Sequence, residues 1–201
     1  MTPSKRIFDL LVAIILSVLL MPLLIIGALV ILVLDGRPVF YFSERMKTSQ
    51  QGFTLVKFRT MKPDLADSGV SGRDKSNRIT RTGKFLRKSR LDEVPQLWNV
   101  IKGDISFVGP RPPLRQYVER FPEIYKQVLQ SRPGITGLAS VYFHAHEEWL
   151  LSQSNSGEQT DAIYSRACIP RKAHIDMIYQ KHKNLCFDIS IMLKTVFKFL
   201  R

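Results

Sequence analysis

The sequence is poor in cysteine, with Cys168 and Cys186 as its two thiols among 201 residues. Two cysteines cannot build a disulfide framework or a four-cysteine zinc site. We therefore expect free thiols in a reducing compartment. The sequence also has no internal repeat and no long low-complexity tract, which excludes solenoid and array architectures.

Acidic residues are scarce as well. The chain has 17 Asp and Glu against 30 Lys and Arg, a formal net charge of +13. Charges within residues 1–36 cancel, so the whole excess lies in residues 37–201. Such a body favours anionic partners, which could be lipid headgroups, phosphorylated substrates or nucleic acid. Charge alone does not choose among them.

Charge is missing altogether from residues 10–34. This apolar run is long enough for a single membrane span of roughly 20 residues. Pro22 lies near its centre, however, and each half would be only about 18–20 Å long as a helix. Lys5 and Arg6 precede the run and Arg37 follows it, so the positive-inside rule places both flanks in the cytoplasm. These features predict a re-entrant helix-break-helix; a proline-kinked span is the alternative.

The remainder predicts an α+β fold that is mostly helical. Aromatic and β-branched runs at 39–42 and 53–58 predict two strands of a small β-hairpin with a long loop. Residues 62–76 are polar and predict a mobile loop. A basic tract follows, in which Thr82 is expected to cap a short helix that ends at Lys88.

The last segment, 188–201, has apolar residues at helical spacing, with Lys194, Lys198 and Arg201 beside them. The apolar residues are Ile189, Met192, Leu193, Val196, Phe197 and Leu200. Two interpretations fit this pattern equally. One is an amphipathic helix at the membrane interface, and the other is a surface helix packed on the core.

Residues 91–101 combine an apolar and a polar face at helical spacing. Pro95 is tolerated only in a first turn, so the helix is predicted to begin near Asp92. Asp92 and Glu93 then lie at a helix N-terminus, which favours ionised carboxylates. The apolar face contains Leu91, Val94, Trp98 and Ile101, and the polar stripe contains Asp92, Gln96 and Asn99. Acidic residues here either stabilise the helix or take part in catalysis.

Two turns rich in proline and glycine each carry one arginine. Arg111 lies within Gly109-Pro110-Arg111-Pro112, and Arg132 opens Arg132-Pro133-Gly134-Ile135-Thr136-Gly137. Rigid turns hold these side chains in preset positions, and a guanidinium is a planar fork suited to phosphate. One such arginine is usually idle on the surface, but two near a carboxylate pair indicate an anion site.

These segments together resemble the small monotopic phosphoglycosyl transferases, a family of bacterial sugar transferases. The match covers most of the chain. It includes Lys5-Arg6-Ile7-Phe8-Asp9, Phe58-Arg59-Thr60-Met61, the stretch from 87 to 112, and residues 132–137 and 176–195. The Asp-Glu dyad followed by Gly-Pro-Arg-Pro is its most specific feature. It favours a catalytic role for Asp92 and Glu93.

The resemblance implies a reaction. A UDP-sugar gives its phosphosugar to polyprenyl (undecaprenyl) phosphate, which yields a polyprenyl diphosphate sugar and UMP in the first membrane step of glycoconjugate synthesis. Asp92 would be the nucleophile, and Glu93 would help to hold Mg²⁺. Arg111 would contact the nucleotide. Further phosphate contacts are expected from Lys57, Arg59, Arg87 and Arg132. In an alternative mechanism the lipid phosphate attacks directly, and Asp92 is a base or a metal ligand.

The same resemblance divides the chain into a membrane hairpin, 1–36, and a membrane-associated catalytic domain, 37–201, on the cytoplasmic face of the bacterial inner membrane. Downstream glycosyltransferases are candidate partners. Met21 and Leu138 replace the serine and tryptophan that are common in the family. Residues 144–172 are less familiar and are interpreted as a determinant of sugar choice rather than a histidine metal site. The rival hypothesis is a membrane-tethered basic module that binds lipid or nucleic acid. Few aromatic residues interleave with the basic tract, so nucleic acid is not expected.

Overall fold

The computed structural model describes residues 1–64, residue 70 and residues 73–199. Its architecture is mostly helical with little sheet, as predicted. The helices are α1 Pro3–Leu34, α2 Arg81–Ser89, α3 Leu97–Lys102, α4 Arg115–Arg120, α5 Pro122–Val128, α6 Leu138–Tyr142, α7 His144–Ser152, α8 Gly157–Ile163, α9 Ile169–His182 and α10 Leu185–Phe199. The strands are β1 Phe40–Met46, β2 Gly52–Phe58, β3 Ser106–Val108 and β4 Gly134–Thr136.

Three further helical segments in the described part of the chain are not α-helices. They are the 3-10 helices Arg73–Arg78 and Leu91–Gln96 and the π-helix Tyr164–Cys168. Residues 65–69, 71 and 72 of the predicted loop 62–76 lie outside the described ranges. Residues 73–76 belong to the first 3-10 helix, so this part of the prediction is wrong.

α1 runs from Pro3 to Leu34 and continues through Pro22. The Thr2 hydroxyl caps its first turn by accepting a hydrogen bond from the Lys5 amide at 3.3 Å. Its 32 residues correspond to about 48 Å of helix. Among the described residues, α1 is the one helix long and apolar enough to cross a membrane. The predicted break at Pro22 is not confirmed.

Both ends of α1 are fixed to the rest of the chain. Near its start, Lys5 forms an ion pair with Asp188. Arg6 donates hydrogen bonds of 2.7 Å to two carbonyl groups in the last turn of α3. Just after its end, the Asp35 carbonyl accepts a 2.6 Å hydrogen bond from Arg59. The first and last turns of α1 therefore contact the same body.

The contact continues along α1 as a stripe on one face. Residues shielded from solvent recur every three or four positions: Lys5, Asp9, Ala13, Leu16, Leu20, Leu24, Gly27 and Ile31. The opposite face exposes large apolar side chains, which include Ile7, Leu11, Ile14, Val18, Ile25, Leu29 and Val33. α1 therefore lies lengthwise on the body and presents an apolar face outward.

The predicted hairpin is confirmed. β1 and β2 pair antiparallel, from Phe40 opposite Phe58 to Met46 opposite Gly52. β1 extends four residues beyond the predicted strand, so the connecting loop is only residues 47–51. The strand continues because residues 43–46 still pair with β2, from Ser43 opposite Leu55 to Met46 opposite Gly52.

α2 begins two residues earlier than predicted from its cap. The Thr80 hydroxyl, not that of Thr82, accepts a 2.9 Å hydrogen bond from the Gly83 amide. The helix ends at Ser89, and Arg90 adopts a left-handed conformation with φ of 56°. This residue redirects the chain into the 3-10 helix Leu91–Gln96.

The helix predicted to begin near Asp92 is divided between this 3-10 helix and α3. A 3-10 helix turns by three residues rather than 3.6, so the phase of the following residues shifts. As a result, Leu97 and Val100 are buried, whereas Trp98 is 62% exposed. The predicted placement of Trp98 on the buried face is wrong for this reason.

The core has three parts. One lies between the first half of α1 and residues of β3, α9 and α10, with Ala13, Phe107 and Tyr179 at its centre. A second lies among the helices from α4 to α9 and the π-helix. A small third cluster joins Ile31 of α1 to Phe58 and Leu86. The first and third clusters hold α1 on the body.

α10 confirms a C-terminal helix, and its packing distinguishes two faces. Asp188 and Ile191 are buried. Four members of the predicted apolar stripe are exposed instead: Ile189, Leu193, Val196 and Phe197. Met192, a fifth member of that stripe, is partly buried and packs on the core. The role of this face at a membrane interface stays a prediction.

Candidate active site

A small cleft with several charged walls lies between β2, the 3-10 helix Leu91–Gln96 and the turns around β4. Its lining residues are Arg45, Leu55, Lys57, Glu93, Gln96, Arg111, Pro112, Gly134 and Ile135. We call it the polar cleft. It brings one half of the predicted acidic dyad together with two of the predicted cations.

The two arginine-bearing turns lie against each other at one side of this cleft. β3 and β4 pair in parallel, and the Gly109 amide donates a 2.9 Å hydrogen bond to the Thr136 carbonyl. A Cβ atom on Gly109 would lie 2.1 Å from the Arg132 carbonyl oxygen, and one on Gly134 would lie 2.3 Å from the Gly109 nitrogen. Only glycine allows this approach of two backbones. The contact fixes the position of Arg111.

Asn99 fixes the opposite wall. Its side-chain oxygen accepts a 3.0 Å hydrogen bond from the Val56 amide, and its side-chain nitrogen donates to the Thr54 carbonyl at 2.8 Å. Asn99 is 1% exposed. This buried amide holds β2 against α3, which places Lys57 beside Glu93.

Glu93 is surrounded by cations. Its Oε1 atom lies 3.3 Å from Lys57 Nζ and 3.6 Å from both Arg90 and Arg111. Burial alone would raise the pKa of Glu93, but Lys57, Arg111 and Arg90 outweigh that effect and hold the pKa at about 2. Glu93 is therefore a permanent anion across the physiological range.

The surrounding cations respond differently to burial. Burial lowers the pKa of Lys57 to about 8, despite the opposing effect of Glu93. Burial and the neighbouring Arg111 lower the pKa of Arg45 to about 10. Burial lowers the pKa of Arg111, but the combined attraction of Glu93, Glu147, Tyr164 and Asp92 exceeds that effect and raises it. Lys57 is thus the cation of this cleft that loses its charge most readily as pH rises.

Asp92 is placed differently from its neighbour. It is 8% exposed, and its Oδ1 atom has no hydrogen-bond partner. Burial raises its pKa, the charge of Glu93 adds to that effect, and Lys57 and Arg87 oppose it. A buried carboxylate oxygen without a partner is costly for folding unless a ligand supplies one. Asp92 therefore has an acceptor oxygen available for chemistry.

The other predicted phosphate contacts are dispersed. Arg87 donates a 2.9 Å hydrogen bond to the Thr60 hydroxyl, and its charge acts on Asp92. Arg59 is buried and donates to the carbonyl groups of residues 35, 36 and 37. Arg132 lies beside Arg6, near the end of α3, and does not line the polar cleft. Lys57 and Arg111 are the predicted cations that meet Glu93.

Two cleft residues, Arg45 and Gln96, and the neighbouring Arg90 did not stand out as site candidates in the sequence. Arg45 fell in the predicted hairpin loop, but as part of β1 it shares a face with Ser43 and opposes β2. A predicted strand four residues longer, ending at Met46, would have placed Arg45 beside β2. Arg90 and Gln96 needed the 3-10 geometry, since Gln96 lies below Glu93 only when three residues make one turn.

The carboxylate pair fits a divalent cation with few protein ligands. Among the described residues there is no group of three or more histidine, cysteine, aspartate or glutamate side chains arranged around one point. The unpartnered Oδ1 of Asp92 and the adjacent Glu93 could offer one or two oxygens. Mg²⁺ suits such a site, because it commonly takes its other ligands from substrate phosphates and water.

The segment 144–172 adjoins the site at His144. His144 Nε2 lies 2.7 Å from Arg90, which in turn pairs with Glu93. Behind it, Lys172 and Glu147 form an ion pair of 2.7 Å. This segment therefore adjoins the carboxylate dyad, and its role in sugar choice stays a prediction.

Comparison with known proteins identifies the family. The sequence matches the family described as bacterial sugar transferase over residues 1–201. The chain belongs to the bacterial sugar transferase family. This membership favours an enzyme over the non-catalytic binding module that the basic body also allowed.

Several relatives carry the name of their reaction. The chain is 34% identical over 198 residues to the UDP-N-acetylgalactosamine-undecaprenyl-phosphate N-acetylgalactosaminephosphotransferase of Aeromonas hydrophila, covering 96% of this chain and 42% of that protein. It is 32% identical over 213 residues to the undecaprenyl-phosphate galactose phosphotransferase of Salmonella typhimurium, covering 98% and 40%. With the uncharacterized sugar transferase EpsL of Bacillus subtilis, identity is 34% over 196 residues, covering 98% and 87%. The chain thus spans less than half of the first two relatives and most of the third.

Proposed function

We propose that this protein transfers a phosphosugar from a UDP-sugar to undecaprenyl phosphate, releasing UMP. One observation carries the proposal: a buried aspartate with an unpartnered oxygen lies next to a glutamate encircled by cations. The names of the relatives, which are undecaprenyl-phosphate sugar phosphotransferases, support this reaction class. The identity of the sugar is left open.

The balance of charge supports a diphosphate substrate. Five cations, Lys57, Arg87, Arg90, Arg111 and Arg45, stand near two carboxylates. The excess cations repel one another, and a bound anion would relieve that repulsion. The diphosphate of a nucleotide sugar would supply the missing negative charge, and arginine forks match phosphate oxygens well.

In the proposed chemistry, a carboxylate oxygen of Asp92 attacks the β-phosphorus of the donor. A bond forms between that oxygen and phosphorus, and the bond to the bridging oxygen breaks, so that UMP leaves with the bonding electrons. An oxygen of the lipid phosphate then attacks the same phosphorus, and the Asp92 carboxylate is released. Arg111 and Lys57 neutralise charge on the departing phosphate.

Glu93 is the residue that would help to hold Mg²⁺, with the other ligands coming from substrate phosphates and water. The ion would lower the negative charge that the attacking carboxylate meets on the diphosphate. The protein's own contribution is to keep Glu93 ionised, through the three cations around it, at any pH where the enzyme works.

Membrane attachment is part of the proposal. A straight helix that crossed the bilayer would separate its two ends by roughly 30 Å of hydrocarbon. Here the Lys5 end and the Asp35 end of α1 both contact the same basic body. This supports a re-entrant or surface-lying anchor on the cytoplasmic face of the inner membrane, with a downstream glycosyltransferase as a candidate partner.

Release of UMP tests the function. The protein in detergent or nanodiscs is incubated with undecaprenyl phosphate, Mg²⁺ and a panel of UDP-sugars. We expect UMP release from at least one donor, dependent on the lipid for multiple turnovers. Absence of UMP with every donor would contradict the proposal.

A further inference from the structure

An apolar groove lies against a different face of the 3-10 helix Leu91–Gln96 from the polar cleft. Its lining residues are Leu23, Leu24, Ile26, Gly27, Val30, Phe58, Thr82, Phe85, Leu86, Leu91 and Val94. Among them only Thr82 has a polar side chain. The groove has a volume of about 100 Å³. Apolar cavities of about 150 Å³ stay dry and take up apolar molecules. We call this feature the apolar groove.

The 3-10 helix separates the two depressions by its own geometry. Side chains three residues apart align in such a helix. Leu91 and Val94 therefore share one face and line the apolar groove, whereas Glu93 and Gln96 share another face and line the polar cleft. Asp92 falls on the remaining face. In sequence it stands between a groove residue, Leu91, and a cleft residue, Glu93, and so marks the border of the two depressions.

The groove has a wall made by the membrane helix. Ile26, Gly27 and Val30 belong to the second half of α1. At the mouth, Ile26 is 57% exposed and Phe85 is 65% exposed. An anchor that enters the bilayer would open this mouth to hydrocarbon rather than to water. The groove therefore leads from the lipid phase toward Asp92.

We propose that the apolar groove holds the phosphate-proximal isoprene units of the polyprenyl acceptor. This inference rests on the proposed function, since it names where that acceptor binds. A lipid phosphate seated there would carry its headgroup to the border at Asp92, and its first isoprene units would replace water against Leu91, Val94 and Phe58. The nucleotide sugar would approach from the polar cleft on the other face.

Two substitutions on α1 separate this role from general membrane contact. Ile26→Trp places a large ring in the groove mouth. Ile15→Trp makes the same change on the same helix at a residue that is also 57% exposed but does not line the groove. We measure the donor half-reaction, as single-turnover UMP release without lipid, and the full reaction with undecaprenyl phosphate or a ten-carbon prenyl phosphate.

For Ile26→Trp we expect an unchanged donor half-reaction and a roughly tenfold higher KM for undecaprenyl phosphate, the loss expected from about two buried methylene groups. We expect a smaller change with the ten-carbon lipid and none for Ile15→Trp. Equal effects of both variants, or a KM for undecaprenyl phosphate unchanged by Ile26→Trp, would overturn the groove assignment. If wild-type protein released no UMP in either assay, the proposed function itself would fail.

A second readout identifies the occupant directly. A diazirine placed on the first isoprene unit of undecaprenyl phosphate should label groove residues, and unlabelled undecaprenyl phosphate should compete. Labelling outside the groove would overturn the proposal. So would competition by bilayer phospholipid equal to that by undecaprenyl phosphate, because the groove would then be an acyl-chain site.

Discussion

Basic residues line the polar cleft and also surround the ends of α1, but the two sets donate their hydrogen bonds to different groups. Around the dyad, Lys57 and Arg111 face the carboxylate of Glu93. At the anchor, Arg6 and Arg59 donate to main-chain carbonyl groups. Carbonyl groups at a helix end accept the N–H donors of a guanidinium. Cations that share one carboxylate keep other N–H donors for a phosphate. The surroundings, not the residue type, separate binding from scaffolding.

The dyad shows the same contrast at shorter range. Glu93 has three cationic partners, and one oxygen of Asp92 has none. The paired carboxylate is the electrostatic centre that holds the cations in place. In the proposed mechanism, the carboxylate with the unpartnered oxygen is the one that attacks the donor.

The largest expected effect comes from Asp92→Asn. An amide is a far weaker nucleophile than a carboxylate, so activity should fall by about 10⁴-fold or more. Asp161→Asn is the matched control, since Asp161 pairs with Arg120 on the surface, and it should stay within about twofold. Steady-state UMP release measures both. Retention of a tenth of wild-type activity by Asp92→Asn would contradict the assigned role.

The two arginine turns give the second comparison. Arg111→Ala should lower kcat/KM for the UDP-sugar by about 100-fold, because the proposed phosphate partner that pairs with Glu93 is lost. Arg132→Ala should change it by less than about threefold, since Arg132 lies beside Arg6, outside the cleft. If the two variants lost activity equally, the separation of the turns into a binding and a scaffolding arginine would be wrong.

Lys57 predicts the pH dependence. Its pKa is lowered to about 8 by burial, so the free enzyme loses this positive charge as pH rises through that value. We expect kcat/KM for the donor to fall on the alkaline side by roughly tenfold per pH unit once Lys57 is neutral. Lys57→Arg should remove that limb, because guanidinium stays protonated. A pH profile shared by both proteins would exclude Lys57 as its source.

The smallest effect on activity is expected at the anchor. Arg59→Ala leaves carbonyl groups near the end of α1 without their donor, at a cost of about 2–3 kcal/mol. Tm in detergent should therefore fall by roughly 5–10 °C, while kcat/KM stays within about threefold at low temperature. The exposed Arg81→Ala serves as control. A loss of kcat/KM without a loss of Tm would return Arg59 to the substrate site.

Much of this organisation follows from local sequence. The apolar run, the hairpin and the acidic dyad rest on composition and spacing, which short segments carry themselves. The position of Arg59 does not follow from local sequence, because its three carbonyl partners come from a turn more than twenty residues away. The face of Trp98 was misplaced because one 3-10 turn shifts every later residue, and Arg45 was missed with the end of β1. The apolar groove forms only where α1 and α2 contact each other, and the sequence of neither helix predicts that contact.

The most direct test is to trap the acyl-phosphate. The enzyme is mixed with a UDP-sugar labelled at the β-phosphate, without lipid acceptor, and quenched for intact-protein and peptide mass spectrometry. We predict one phosphosugar on Asp92, matched by one equivalent of UMP, discharged by undecaprenyl phosphate and absent from Asp92→Asn. Full turnover with lipid but no adduct and no UMP without it would contradict the account, and it would favour direct attack by the lipid phosphate.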